Sequence, residues 1–108
     1  MASVFKNYPT SGIGITPNTV FTGPSGAQTT VIGISIANIY TQPVDVDFFI
    51  SISGSNTYIV KNATIPKGGA LIPVGGDQKL VVEDGDILYV VSNTASSVDV
   101  VVSTLEIT

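Results

Sequence analysis

The side chains that most enzymes use for acid–base or nucleophilic chemistry are scarce in this sequence. Its 108 residues include no histidine and no cysteine, so the commonest general base and the strongest nucleophile are both missing. Eight carboxylates remain, and two of them, Asp45 and Asp47, fall on one side of a predicted strand. We interpret this pair as the solvated side of a strand whose other side is apolar. The sequence therefore predicts a protein that is not an enzyme.

Three carboxylates lie close together in the segment Glu83-Asp84-Gly85-Asp86. Carboxylate oxygens are the ligands that calcium prefers. The segment nevertheless lacks the alternating ligand spacing and the distal glutamate of an EF-hand loop. Asp-Gly at the tip of a hairpin explains the same residues more simply. We predict a turn here, with no metal site and no cofactor, and keep a weak calcium site as the alternative.

Charge is sparse throughout the chain. Charged residues make up 11% of the sequence, against about 25% in an average soluble domain, and the formal net charge is −4 with no arginine. A nucleic-acid partner is not expected, because the chain has no basic surface to meet phosphates. Sparse charge is typical of a surface covered by neighbouring chains, where charge is costly to bury. A neutral, Thr-rich sheet surface facing water is the alternative.

The apolar residues predict β-strands. Val and Ile together number 28, against four Leu, and β-branched side chains pack well on a pleated surface. No apolar run approaches the ~20 residues of a membrane helix, so no membrane partner is expected. Apolar residues alternate with polar or small ones, and turn residues recur every eight to twelve positions, as in a sandwich or barrel. The predicted inward-facing residues are Ile32, Ile34, Ile36, Val44, Val46, Phe48, Ile50, Ile52, Leu80, Val82 and Val100. We predict an all-β fold, a single antiparallel β-sandwich of jelly-roll type, over residues 28–108.

Residues 1–27 differ from the rest because prolines and glycines alternate with short apolar pairs. Such a density of Pro and Gly breaks regular elements. We predict an extended N-terminal arm with short edge strands that lies along a neighbouring subunit. The arm residues predicted to make this contact are Val4, Phe5, Tyr8, Ile13, Ile15, Val20 and Phe21. Phe49 is added as a possible exposed contact on the outer side of its strand, unless a second layer, such as the arm, covers it.

Four segments resemble small virion structural proteins of tailed bacteriophages. They read TVIGISIAN at 30–38, IPKGGA at 65–70, KLVVEDGDILYV at 79–90 and SVDVVVS at 97–103. The resemblance covers roughly residues 28–108. It implies a β-sandwich without an active site, located in the virion, which serves as a capsid cement or decoration protein or as a collar, neck or tail component.

The partners expected from this resemblance are other virion proteins, such as a major capsid protein, and further copies of the chain. Dimers or trimers are expected because the junctions of a closed shell lie on or near symmetry axes. A carbohydrate-binding, lectin-like sandwich is the alternative, and it would need an exposed aromatic platform. Tyr58 and Tyr89 are the candidates for that platform, but the sequence alone gives no arrangement for them.

Overall fold

The computed structural model describes residues 3–75 and 78–108. These residues form two antiparallel sheets packed face to face, which confirms the predicted all-β sandwich. The strands are β1 (Ser3–Ile13), β2 (Asn18–Thr22), β3 (Gln28–Asn38), β4 (Val44–Ile52), β5 (Ser55–Ile65), β6 (Ala70–Val74), β7 (Leu80–Val82), β8 (Ile87–Ser92) and β9 (Val98–Ile107). The same part of the chain contains no helix of the length and apolarity needed to cross a membrane.

The strand order is that of a jelly roll. Sheet A has the order β1-β9-β3-β6, and β7 also pairs with β3. Sheet B has the order β2-β8-β4-β5. The chain crosses from one sheet to the other at every connection between these strands except β4–β5 and β6–β7. Each sheet therefore has one edge made by the N-terminal strands, β1 in sheet A and β2 in sheet B.

The core lies between the sheets and consists mainly of valine and isoleucine. Alternate residues of β4 point inward, with Val46 and Phe48 fully buried, as the period-two pattern predicts. The predicted core residues that are buried are Ile34, Ile36, Val44, Val46, Phe48, Ile50, Val82 and Val100. Leu80 is partly buried and packs against them. Ile52 is exposed, because it ends β4 just before the turn at Ser53 and Gly54.

A bulge in β3 corrects the prediction for Ile32. The pairing of β3 with β9 shifts register between Val31 and Gly33. Val31 and Ile34 are both buried, so the extra residue changes which positions point inward. Ile32 is only half-buried and faces away from the core. Regular alternation along β3 had placed it inside.

Residues 3–22 form two edge strands, as predicted, but these strands belong to the sandwich and do not form an arm outside it. β1 pairs with β9 along the edge of sheet A, and β2 pairs with β8 along the edge of sheet B. Ile13, Val20 and Phe21 lie in the core cluster of the chain itself. These three side chains cover the part of the core that lies beside β9 and β8, and this contact removes them from water. Pro9 is tolerated because β1 is an edge strand, where a missing N–H costs no ladder hydrogen bond.

Candidate contact surfaces

The outer surface of sheet A exposes large apolar side chains. We define face A as the outward-facing residues of its strands, principally Phe5, Asn7, Pro9, Gln28, Thr30, Ile32, Ser35, Ala37, Ile72, Val81, Val101, Ser103, Leu105 and Ile107. Phe5 is 72% exposed, Ile72 65%, Val81 64% and Val101 41%. Isolated apolar residues on a surface are ordinary, but an apolar set on one sheet face is a candidate contact surface.

Face A contains almost no charge. Among the outward-facing strand residues of sheet A that the structure describes, only Asp99 is ionisable. Its Oδ1 accepts a hydrogen bond from the Gly12 N–H at 2.9 Å, so the carboxylate already serves the β1 bulge. Lys6 belongs to β1 as well, but it pairs opposite the buried Thr104 and lies 3.8 Å from Glu106. A partner that covers face A therefore has little charge to desolvate.

One row of side chains crosses face A from edge to edge. Phe5 pairs with Leu105, Leu105 with Thr30, and Thr30 with Val81. A hollow of about 400 Å³ lies beside Thr30 and Val81, at the β7 end of the row. Its lining includes the outward-facing residues Gln28, Thr30, Val81 and Ile107, together with Glu83 and Asp84. The most exposed side chain of the row thus stands at one edge, and the hollow lies at the other.

The outer surface of sheet B also contains aromatic residues, but these pack against one another. Phe49 pairs with Tyr58 of β5 and with Tyr89 of β8. Its ring centroid lies 4.9 Å from that of Tyr58 and 5.2 Å from that of Tyr89. Lys61 Nζ lies 4.4 Å from the centroid of the Tyr58 ring. We call these four residues the aromatic row.

The prediction that Phe49 forms an exposed contact is corrected by this packing. The side chain is 4% exposed, because Tyr58 and Tyr89 cover it from the two neighbouring strands. The alternative, that other residues cover Phe49, is closer to the structure. The cover is formed by neighbours in the same sheet and not by the N-terminal strands. Phe49 is therefore a structural residue of sheet B.

Charged and polar groups beside the aromatic row are paired within the chain. Asp47 accepts hydrogen bonds from the Asn62 N–H at 2.7 Å and from Lys61 Nζ at 3.3 Å. Its hydrogen bond is the main reason that the pKa of Lys61 is raised. Asp45 Oδ1 accepts a hydrogen bond from Thr64 Oγ1 at 2.6 Å. The two carboxylates thus hold the edge strand β5 against β4. Each of them has its hydrogen-bond partners within the chain.

A buried carboxyl group fixes β1 on the inner side of sheet A. Glu106 is 5% exposed, and its Oε2 accepts hydrogen bonds from the Tyr8 hydroxyl and, at 3.1 Å, from Thr104 Oγ1. Burial and the contact with Glu106 raise the pKa of Tyr8 to about 12. Thr29, which pairs with Glu106, has a buried Oγ1 without a hydrogen-bond partner in the described part of the chain. Tyr8, predicted as a contact for a neighbour, instead joins β1 to β9.

The acidic segment at 83–86 forms a turn. Asp86 is buried, and its Oδ2 accepts a hydrogen bond from the Glu83 N–H at 3.0 Å. Gly85 has a φ of +85°, a conformation that suits glycine at the tip of a tight turn. Within residues 3–75 and 78–108, no group of three or more potential ligands comes together in a way that could hold a metal ion.

The predicted contact residues are therefore divided among three environments. Ile13, Val20, Phe21 and Phe49 are buried, and Tyr8 is half-buried and bonded to Glu106. Val4, Phe5 and Ile15 are exposed, but only Phe5 belongs to face A. Sequence reasoning missed Ile72, Val81 and Val101 as exposed apolar residues. Their exposure could have been predicted from the sequence, because each is an apolar residue at a position that strand alternation assigns to the outside.

Comparison with known proteins supports the fold. No family model matches the chain, and no curated protein matches it. A solved structure from Bacillus endospore appendages, described as forming a novel family of disulfide-linked pili, is similar over 98% of this chain and 88% of the other. The TM-score is 0.57 and the sequence identity 15%, so the likeness concerns the β-sandwich architecture alone.

Proposed function

We propose that this chain is a non-catalytic structural subunit of a bacteriophage virion, and that face A is the surface through which it assembles with a further subunit. The observation that supports this most is the nearly uncharged face with Phe5, Ile72 and Val81 each more than 60% exposed. A monomer that stays in water has no use for such a surface, since exposed apolar area favours association at ~25 cal/mol per Å².

The rest of the molecule suits a rigid building block. The core is continuous between the sheets, and β1 is held to β9 through Glu106 as well as through the ladder. The aromatic row and Asp47 hold the opposite edge strand, β5. A preorganised surface loses little conformational entropy when it binds, so more of the contact energy is left for assembly.

The likeness to the endospore appendage structure is compatible with an assembly role. The chains of that structure form disulfide-linked pili. The present chain has no cysteine, so disulfides cannot link its copies. An apolar face is the kind of surface non-covalent contacts need, and weak contacts repeated around a particle add up to stable attachment.

Within the virion, we place the chain on the capsid as a cement or decoration protein that stabilises the shell. The sequence resemblance over residues 28–108 supports a virion protein of this kind. A collar, neck or tail position is the alternative, and the same face would serve there.

A carbohydrate-binding role is less well supported. A sugar ring stacks on a free aromatic face, and Tyr58 is the most exposed ring of the aromatic row at 46%. Lys61 and Phe49 already contact the Tyr58 ring, so the ring is not a free platform for a sugar. Saturable binding of the isolated chain on a glycan array would favour the lectin-like alternative instead.

Quantitative mass spectrometry of gradient-purified particles tests the proposal. We expect the chain to be present in many copies per particle, at a fixed ratio to the major capsid protein. Antibody labelling under the electron microscope should then mark the capsid surface, whereas label at the tail would select the alternative position. Absence of the chain from purified particles would refute the proposed function.

A further inference from the structure

We propose that the occupant of face A is a second copy of this chain, packed face to face so that Phe5 of each copy enters the hollow beside Val81 of the other. This inference rests on the proposed function in one respect, namely that face A is a contact surface. It goes further by naming the partner, the symmetry and the residues that meet.

The row Phe5–Leu105–Thr30–Val81 makes face A complementary to itself. Four adjacent strands contribute to the row, so its ends are three strand spacings, roughly 14 Å, apart. A two-fold axis that lies between two facing copies and runs parallel to the strands, over the gap between β9 and β3, exchanges the two ends. β1 of one copy then lies over β7 of the other, and each exposed phenylalanine faces a hollow.

The alternative two-fold axis, which runs along the row, gives a poorer fit. It would set Phe5 against Phe5 of the other copy and hollow against hollow. Two protruding rings would then hold the faces apart, and a cavity of about 400 Å³ in each copy would stay unfilled. Unfilled apolar contact area is lost stabilisation, so the axis parallel to the strands is favoured.

The charge distribution favours a copy of the chain over a charged partner. Face A carries Asp99 alone among its described strand residues, and that carboxylate is hydrogen-bonded to Gly12. Glu83 and Asp84 also line the hollow, but both are exposed and lie outside the strands of face A. Two copies can therefore approach without burying an unpaired charge, which would otherwise cost several kcal/mol.

The size of face A is sufficient for a dimer. β1 and β3 each contain 11 residues, so the face is roughly 37 Å long at about 3.4 Å per residue. Four strands at about 4.8 Å make it roughly 19 Å wide. Its flat area is thus roughly 700 Å², close to the ~800 Å² per partner of a standard stable interface. The outer faces of two twisted sheets can pack at this size in the aligned arrangement of a sandwich.

Cysteine cross-linking tests this arrangement without background, because the chain has no cysteine of its own. Phe5→Cys chains are mixed with Val81→Cys chains and oxidised, and the products are separated without reductant. We expect a disulfide-linked product of twice 11.1 kDa in the mixture and none from either variant alone. Cross-linking requires the two Cα atoms to come within about 7 Å.

Ile15→Cys mixed with Val81→Cys is the matched control, since Ile15 is 66% exposed but lies off face A. It should give no product. Cross-linking of Phe5→Cys with itself would overturn the proposed axis, and equal cross-linking of the control would reduce the result to random collision. Absence of any product, together with a monomer in sedimentation velocity of the unmodified chain, would overturn the dimer altogether.

These outcomes separate the dimer from the proposed function. A chain that is found in purified particles but never cross-links is a virion protein whose face A binds another subunit. A chain that cross-links as expected but is absent from particles is a dimer with a different role.

Discussion

The two outer sheet faces of this molecule use their aromatic residues in opposite ways. On sheet B, Phe49 lies between two tyrosines, and the neighbouring charges are paired with one another. On sheet A, Phe5 projects from an almost uncharged face with no side chain packed over it, at 72% exposure. The aromatic side chains of sheet B therefore find packing partners within one chain. Sheet A leaves apolar side chains uncovered. The difference teaches that a contact surface is recognised by whether its apolar side chains are covered within the chain, more than by their number.

The largest effect is expected for the inner side of β4. Phe48→Asp places an unpaired charge among fully buried side chains, at a cost of several kcal/mol, which approaches the whole stability of a domain this size. We expect no folded protein by circular dichroism and one-dimensional NMR. A soluble, folded variant would mean that the inner and outer sides of β4 have been exchanged.

A smaller loss is expected for the outer side of the same strand. Phe49→Ala removes the middle ring of the aromatic row. It should lower the free energy of unfolding by about 3 kcal/mol, the low end for buried phenylalanines, because water can enter the space. Urea denaturation measures this loss. The variant should still form the dimer, whereas loss of both stability and association would show that the two faces are not independent.

The hydrogen bond between β1 and β9 should have an effect of about 1–3 kcal/mol. Tyr8→Phe leaves the buried Glu106 without one of its donors, and unsatisfied buried acceptors cost that much. The change loosens the edge strand that holds Phe5 on face A. Urea denaturation at neutral pH should show the lower stability, and an unchanged midpoint would place the hydroxyl in water instead.

The same tyrosine predicts a dependence on alkaline pH. Its pKa is raised by burial and by Glu106 from 10.0 to about 12, so the unfolded chain loses the proton at a lower pH than the folded one. Stability from this group is complete below pH 10 and is lost as the pH rises toward about 12. Thermal melts should therefore fall more steeply over that range for the natural chain than for Tyr8→Phe. Parallel curves would contradict this origin.

The smallest effect on stability is expected on face A itself. Phe5→Lys changes a side chain that has little to lose in the monomer, so unfolding should shift by less than about 0.5 kcal/mol. Association should weaken strongly, because the variant places a charge where the partner packs. Sedimentation equilibrium measures the change, with Ile15→Lys as the control of similar exposure. Equal association of both variants would remove Phe5 from the interface.

The sequence is sufficient to predict most of the fold, because strand periodicity is local. β4 is predicted correctly from Val44 to Ile50, since valine, isoleucine and phenylalanine alternate there with polar residues apart from Phe49. The bulge in β3 is not predictable in this way. It is seen only in the pairing with β9, where one extra residue moves Ile32 to the outside.

Contacts between distant parts of the chain account for the remaining differences. Tyr8 and Glu106 are 98 residues apart, so nothing local indicates that the first strand is fastened to the last. Ile13 and Phe21 read as parts of a free arm because prolines and glycines surround them, whereas Gly14 and Pro17 form the connection between the two edge strands. Face A was only partly predicted, because exposure at Val81 and Ile72 depends on which strands lie at the sheet edge.

Add-back to particles tests the central claim most directly. Particles that lack the chain are incubated with the recombinant protein, sedimented, and assayed for bound copies per particle. The natural chain and Ile15→Lys should bind to the same saturating level. Val81→Lys alters a side chain that is 64% exposed, so it should fold but bind at least tenfold more weakly. Binding of Val81→Lys at the level of the natural chain would contradict the assignment of face A as the surface through which this protein assembles.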